Sequence, residues 1–292
     1  MPQINKTPKS LQPYEFHGVD LMWDESTENA PALCPFCGND NRKFSVEVAT
    51  GQFHCWTCGA GGNATTFLRK LWDEYDRETV DYTPLARERG LLYPDTLMLW
   101  QVVYSWRLES WLIPGYGING KMSQLYKYSN RLYPTPTLGH KLHGMNLYNP
   151  NHDYVFLCEG PWDGMSLWEV LRYAEGDLEE VNVTANKQNN LLETCSVLAV
   201  PGAMVFFEQW CSLFSGKNVY LVYDNDHPRK HPRTGKTLPP AGLVGMKRTA
   251  EILSGAKEPP AEIHYLCWGE GGFMSDLPNG YDIRDTLSTW RK

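Results

Sequence analysis

No stretch of the sequence is apolar enough, or long enough, to span a membrane, so no membrane partner is expected. The apolar block of a secretory signal is missing from Met1-Pro-Gln-Ile-Asn-Lys6, which points to a cytoplasmic protein. The glycosylation-like triplets Asn63-Ala-Thr65 and Asn182-Val-Thr184 carry no meaning without secretion. The cysteine spread of a disulfide scaffold is missing too. Of eight cysteines, four stand in two Cys-x-x-Cys pairs, while Cys158, Cys195, Cys211 and Cys267 are scattered through apolar surroundings. That distribution predicts one metal site plus buried free thiols in a reducing compartment. Nor is there the positive charge of a nucleic-acid binder, since the formal net charge is −7.

The charge deficit is uneven. Residues 31–70 carry +2 and residues 83–150 carry +4; a −4 connector at 71–82 separates them, and 1–30 (−3) and 151–292 (−6) flank them. Basic segments can contact phosphates, whereas clustered carboxylates need cations nearby. Apolar residues make up 42% of the 292, enough for the cores of about two domains.

Residues 1–30 are polar, hold Pro2, Pro8 and Pro13, and read as an N-terminal arm. Cys34-Pro-Phe-Cys37 and Cys55-Trp-Thr-Cys58 follow, with 17 residues between the pairs. Between them, Lys43-Phe-Ser-Val-Glu-Val48 alternates apolar and polar, Thr50-Gly51 supplies a turn, and Gln52-Phe-His-Cys-Trp56 returns. The spacing predicts a β-hairpin flanked by two thiolate knuckles, over residues 31–70. Four thiolates aimed at one point give Zn²⁺ a closed tetrahedral shell, so Cys34, Cys37, Cys55 and Cys58 are expected to hold a structural zinc. His54 is the alternative ligand, unless it faces outward on the hairpin. The acidic stretch 71–82 reads as a linker or as a solvated helix face.

From Thr83 to Pro150, short apolar runs around Gly115-Tyr-Gly-Ile-Asn-Gly120 predict a curved, mixed β subdomain ending in exposed basic residues. Val155-Phe-Leu-Cys-Glu159-Gly160 then reads as a buried strand that stops at a carboxylate. An apolar-periodic helix reaches to about Tyr173, with Asp163 at the position of a helix cap. Residues 175–196 read as a polar insertion or long loop. Strands follow at Val197–Val200, Asn218–Tyr223 and Ile263–Cys267, with a helix from Ala241 to Leu253. Strands alternating with helices predict an α/β domain over 151–292, with a mostly parallel sheet flanked by helices. Each acidic motif lies at or beyond the carboxyl end of a strand, where such sheets bind ligands. Grouped carboxylates repel unless a cation neutralises them. Glu159, Asp224 and Asp226, with Asp282 nearby, therefore offer an oxygen-rich site for Mg²⁺ or Mn²⁺.

The segment Phe53-His-Cys-Trp-Thr-Cys-Gly-Ala-Gly-Gly62 and the helix after it resemble the zinc-binding domain of bacterial and phage replicative primases. Glu159-Gly160, then Asp224-Asn-Asp226 and a helix opening Ala241-Gly242, resemble the Toprim domain that those primases share with topoisomerases and some nucleases. The resemblance implies an RNA polymerase core of α+β type: the β subdomain 83–150 followed by a Toprim catalytic domain at 151–292. It implies a DNA primase, making short RNA primers on single-stranded DNA by divalent-metal nucleotidyl transfer, in a bacterial or phage-infected cytoplasm. It also implies residue roles: Glu159 in acid/base or metal binding, Asp224 and Asp226 as the metal pair, and Asp282 as a further acidic position. By the same resemblance His54 and Trp56, with Arg42 or Lys43, would contact the template, and Lys127, Arg131 and Lys141 the template or nucleotide phosphates. Ribonucleoside triphosphates and a separate replicative helicase are the implied partners.

One stretch departs from that pattern. Basic, proline-rich residues 227–240 separate Asp226 from the helix and predict a loop beside the acidic site. Gly235-Lys-Thr237 ends like a phosphate-binding P-loop, but Lys230 stands where the first glycine belongs, which excludes that ATPase motif here. A Toprim metal-dependent nuclease, or a non-catalytic zinc/Toprim nucleic-acid-binding protein, are the alternatives.

Overall fold

A computed structural model describes residues 6–38, 40–75, 79–173, 191–268 and 277–290. The fold is mixed α/β, as the pattern of runs predicts, and it divides into two compact units. One comprises Met1–Val80, Gln101–Gly115 and Met122–Lys141, and the other Asp81–Trp100, Tyr116–Lys121 and Leu142–Lys292. Residues 83–150, read as one subdomain, are thus shared between the two.

The first unit opens with α1 (Gln12–Phe16) and an antiparallel sheet in the order β1 (Asn29–Ala32), β2 (Phe44–Glu47), β3 (Phe53–Cys55), β4 (Gly61–Gly62). The alternation in β2 sends Phe44 and Val46 inward and Glu47 outward. Helix α2 (Ala64–Asp73) begins at Asn63, whose Oδ1 accepts the Thr66 N–H at 3.0 Å. Its buried Phe67, Leu68 and Leu71 form one stripe. The segment read as an arm is part of this core. Tyr14 is fully buried, its ring 4.7 Å from Phe67, 6.1 Å from Phe53 and 6.3 Å from Phe44, and its hydroxyl donates to Gly51 O at 2.5 Å. Aromatic area at this density outweighs the polar residues around it, a signal that has no period in sequence. The acidic connector starts as the end of α2, and Tyr75 hydrogen-bonds Ser105 at 3.1 Å. A second four-stranded sheet has the order β5 (Val103–Ser105), β6 (Ser110–Tyr116), β7 (Met122–Tyr128), β8 (Leu132–Pro134), and Arg69 of α2 donates to Met122 O at 2.6 Å.

The second unit begins with α3 (Thr83–Glu88) and α4 (Asp95–Leu99), followed by β9 (Tyr154–Cys158), α5 (Pro161–Tyr173), α6 (Leu191–Thr194) and β10 (Cys195–Ala199). Then come β11 (Asn218–Val222), a two-residue pair β12 (Arg229–Lys230) and β13 (Thr237–Leu238), α7 (Ala241–Ser254), β14 (Glu262–Tyr265) and α8 (Ile283–Trp290). Its main sheet is parallel in the order β10-β9-β11-β14. Every residue of β10 is buried, as suits a parallel strand covered on both faces. The buried Glu169 of α5 accepts from Leu92 N (2.8 Å), Tyr93 N (3.1 Å) and Thr96 Oγ1 (2.9 Å), which fastens the start of α4. Most of the stretch read as a polar insertion, residues 174–190, lies outside the described residues. Among the described residues no helix is long and apolar enough to cross a membrane.

Candidate metal centres and nucleic-acid contacts

In the first unit the two Cys-x-x-Cys turns meet. The sulfurs of Cys34, Cys37, Cys55 and Cys58 all lie within 4.8 Å of one another, with Cys34 to Cys58 at 3.9 Å and Cys37 to Cys55 at 4.0 Å. Four thiolates about 2.3 Å from one tetrahedral zinc sit about 3.8 Å apart, so the set suits Zn²⁺. Burial pushes the Cys34 thiol up to about 12, whereas at Cys55 the backbone N–H groups of Cys58 and Thr57 and the neighbouring thiols outweigh burial and bring it down to about 7. A thiol held there ionises readily for metal binding.

His54 is half-buried on β3, with its ring 4.5 Å from that of Trp56 in an edge-on arrangement. Trp56 is 76% exposed, far more than an indole reaches by default. Arg42 and Lys43 are exposed nearby in sequence, and Arg42 lies 3.9 Å from Asp20. Lys127 is half-buried with its ammonium 5.2 Å from the Phe16 ring centre, and exposed Arg131 stacks over Tyr133 at 4.7 Å. Lys141 is half-buried, its backbone N–H donating to the Tyr126 hydroxyl at 2.8 Å.

In the second unit the acidic residues gather where the sheet changes direction. From β9 the chain runs to β10 on one side, and from β11 it runs to β14 on the other. The crevice between β9 and β11 is therefore a topological switch point, the place where open α/β sheets bind ligands. Glu159 follows β9 directly, and Asp224 lies two residues past β11. The Asp224 N–H donates to Glu159 Oε2 at 3.2 Å. Asp226 Oδ2 accepts from Gly242 N at 2.8 Å, at the opening of α7. Asp282 stands just before α8 and forms a reciprocal cap with Asp285: Asp285 N donates to Asp282 Oδ1 at 3.1 Å and Asp282 N to Asp285 Oδ2 at 3.2 Å.

Asp163 corrects the reading of a helix cap. It lies inside the first turn of α5, 6% exposed, and one oxygen each from Asp163, Asp224 and Asp282 lie within 4.8 Å of one another. Arg284, which the sequence reading missed, donates from Nε to Asp163 Oδ1 at 2.8 Å and pairs with Asp282 through a second nitrogen. Its partner Asp163 is 121 residues away in the chain, so nothing local marked it. Of the expected set Glu159, Asp224 and Asp226, only Asp224 belongs to this trio; Glu159 touches it through the Asp224 N–H, and Asp226 binds Gly242 N.

The charge is not balanced by Arg284 alone. Burial, then the charges of Asp163, Glu159, Asp282 and Asp226, push the Asp224 carboxyl up to about 9. Burial and Asp282 push Asp163 up to about 7 against the pull of Arg284. Burial raises Glu159 to about 7, with the Asp224 N–H pulling the other way. Carboxyls this crowded keep their protons near neutral pH unless a further cation joins them. Hard oxygen ligands, two of the three buried, suit Mg²⁺ or Mn²⁺. A cleft of about 140 Å³ opens beside Asp224 and Asp226, bordered by Met246, Leu266 and Trp268. Residues 227–240, read as a loop, instead form the short antiparallel hairpin of β12 and β13, because Lys230 and Thr237 pair and His231 N donates to Lys236 O at 2.8 Å.

Residues 18–91 match the family model of the CHC2 zinc finger. Over 92 residues the chain is 32% identical to a DNA primase of Halalkalibacterium halodurans, covering 32% of this chain and 15% of that protein. Over 39 residues it is 58% identical to a DNA primase of Geobacillus stearothermophilus, covering 13% of this chain and 6% of that one. These matches span a small part of the relatives' length. Among solved structures, the zinc-binding and RNA polymerase domains of the Aquifex aeolicus primase align with 97% of this chain and 81% of theirs, at 16% identity and a TM-score of 0.45. The primase fragment of the bacteriophage T7 primase-helicase protein aligns with 88% of this chain and 96% of its own, at 14% identity and a TM-score of 0.43. The family match ends at residue 91, ahead of every acidic residue of the crevice. Residues 18–91 thus resemble the CHC2 zinc finger, and part of the chain is similar in sequence to bacterial DNA primases.

Proposed function

We propose that the chain is a DNA primase, joining ribonucleoside triphosphates into short RNA on a single-stranded DNA template. The observation that carries this reading is the convergence of Asp163, Asp224 and Asp282 at the switch point of a parallel sheet, on a chain that also bears a CHC2 zinc finger. A zinc finger alone fits many nucleic-acid binders, and an acidic crevice alone fits many phosphate-handling enzymes. Together they fit template-directed nucleotidyl transfer, and they support a Toprim catalytic domain at 151–292, preceded by residues 83–150, which the two compact units share.

In this reading Asp163, Asp224 and Asp282 would hold Mg²⁺ or Mn²⁺, with Glu159 and Asp226 beside them. When bound, such a cation supplies charge neutralisation for the triphosphate and activation of the attacking hydroxyl. Glu159, whose carboxyl burial raises to about 7, would in its ionised form take up the proton of that hydroxyl on a carboxylate oxygen. Arg284 keeps Asp163 and Asp282 turned toward the crevice, and Asp226 holds the opening of α7 against it. Trp56 and His54 stack on template bases, as single-strand binding surfaces do. Lys127, Arg131 and Lys141 contact phosphates of template or nucleotide. A replicative helicase is the proposed partner.

The test is incubation of the zinc-loaded protein with labelled ribonucleotides, Mg²⁺ or Mn²⁺ and a random pool of single-stranded DNA. Template-dependent oligoribonucleotides support the reading. DNA cleavage without triphosphates points to a nuclease instead, and binding with no product to a non-catalytic protein.

A further inference from the structure

The hairpin of β12 and β13 is the part of the second unit that the proposed chemistry leaves unused. Residues 227–240 contain Arg229, Lys230, Arg233 and Lys236 and no acidic residue, within a stretch (151–292) that is otherwise strongly acidic. All four cations are exposed, and among the described residues none of them forms an ion pair. Four exposed, unneutralised charges of one sign on so few residues repel one another, a cost that a polyanion removes.

The hairpin is also shaped before any ligand arrives. Arg229 pairs with Leu238 and Lys230 with Thr237. At its tip Gly235 takes φ +65°, and the backbone N–H groups of Arg233 and Thr234 donate to His231 Nδ1 at 3.3 and 3.2 Å. Pro228, Pro232, Pro239 and Pro240 restrict both feet and the turn. The feet close on the acidic crevice: Asp226 Oδ2 accepts from Gly242 N at 2.8 Å, and His227 N donates to Asn279 Oδ1 at 2.6 Å. Arg229 is three residues from Asp226, so its backbone lies within about 11 Å of that carboxylate's. A phosphate chain approaching a ring of carboxylates is repelled by them, and the hairpin sets fixed positive charge beside the approach.

We propose that the 227–240 hairpin is a phosphate-binding arm that captures a polyphosphate or phosphodiester chain at the rim of the acidic crevice, through Arg229, Lys230, Arg233 and Lys236. The two sources of that chemistry are the backbone of single-stranded nucleic acid and the triphosphate of a nucleotide. The inference deepens the polymerase reading, yet binding is measured without catalysis, so either can fail alone.

The experiment uses the full zinc-loaded chain, without added Mg²⁺ or Mn²⁺. Binding of a fluorescent oligothymidylate and, separately, of a fluorescent ribonucleoside triphosphate is titrated across salt concentrations. The hairpin variant is Arg229→Gln/Lys230→Gln/Arg233→Gln/Lys236→Gln. A pair of variants with equal charge change, Arg229→Gln/Lys230→Gln and Lys247→Gln/Lys257→Gln, separates the hairpin from general electrostatics. Thermal unfolding checks that each variant is folded. Loss of four phosphate contacts is expected to flatten the log–log salt dependence for the oligonucleotide by about 3 and to weaken binding at low salt at least tenfold. Loss confined to the oligonucleotide assigns the arm to the strand, and loss confined to the triphosphate assigns it to the nucleotide. Unchanged binding of both, or an equal loss in the Lys247/Lys257 control, overturns the proposal.

Discussion

Arg284 donates from Nε to Asp163 Oδ1 at 2.8 Å, joining residues 121 apart in the chain inside a crevice of five carboxylates. A buried carboxylate beside Asp282 and Asp224 is tolerable because this guanidinium faces it. Removing the cation leaves an uncompensated buried charge. Arg284→Met is expected to lower stability by about 3 kcal/mol, read as a drop in thermal midpoint without divalent metal. A midpoint within one degree of wild type would show that the pair contributes nothing.

The cysteine set makes the first unit depend on metal. Structural zinc supplies folding free energy that small domains lack without it, on the order of 10 kcal/mol. Cys58→Ser, or zinc removal with a chelator, is expected to abolish the cooperative unfolding of the zinc finger and to release one equivalent of zinc per chain. Retention of a full equivalent by Cys58→Ser would mean that His54 or another group is the fourth ligand.

His17 ties the same unit to pH. It is 1% exposed, its Nε2 lies 2.9 Å from Thr135 Oγ1, and burial, with the charges of Lys127 and Arg107, lowers its pKa to about 3. A depressed folded pKa gives stability that is fully present above about 6.5, the unfolded value, and is lost as pH falls toward 3. At pH 5 the loss is about 2 kcal/mol. Denaturant titrations at pH 7 and pH 5 should show it, and His17→Phe should flatten the difference. An equal difference in both proteins would place the effect on other groups.

Much of this was legible in sequence, and the boundary is physical. The four cysteines, the β2–β3 hairpin and the runs that became β9, β10 and β11 are local signals, each contained within a few residues. The carboxylates of Glu159, Asp224 and Asp226 were visible because strand ends announce a site. Asp163 was read as a cap because its true neighbours, Asp282 and Arg284, lie more than a hundred residues away. Tyr14 and His17 looked like parts of a loose arm, since a core built from scattered aromatics leaves no periodic trace. The hairpin at 227–240 was masked by its prolines, which suit a loop as readily as the feet of a two-residue ladder.

Gly242 shows how closely α7 approaches the crevice. A Cβ there would sit 2.5 Å from Asp224 O and 3.1 Å from Glu159 Oε2. Backbone cannot yield cheaply, so Gly242→Ala is expected to cost about 1–3 kcal/mol and to weaken Mn²⁺ binding measured by electron paramagnetic resonance. Unaltered stability and Mn²⁺ affinity would show that the helix shifts freely.

Whether the acidic crevice joins nucleotides is tested most directly by Asp224→Asn in the primer-synthesis assay, with the fold checked by zinc content and thermal midpoint. Because burial and its acidic neighbours hold the Asp224 carboxyl at about 9, its ionised form destabilises the metal-free fold increasingly as pH rises from about 4 toward 9. Asparagine should therefore leave the variant folded, and more stable than wild type at pH 8 without divalent metal. With Mg²⁺ or Mn²⁺ and single-stranded template, product formation is expected to fall at least a hundredfold, about 3 kcal/mol in the barrier. Synthesis by Asp224→Asn at the wild-type rate would contradict a nucleotidyl-transfer centre at this crevice.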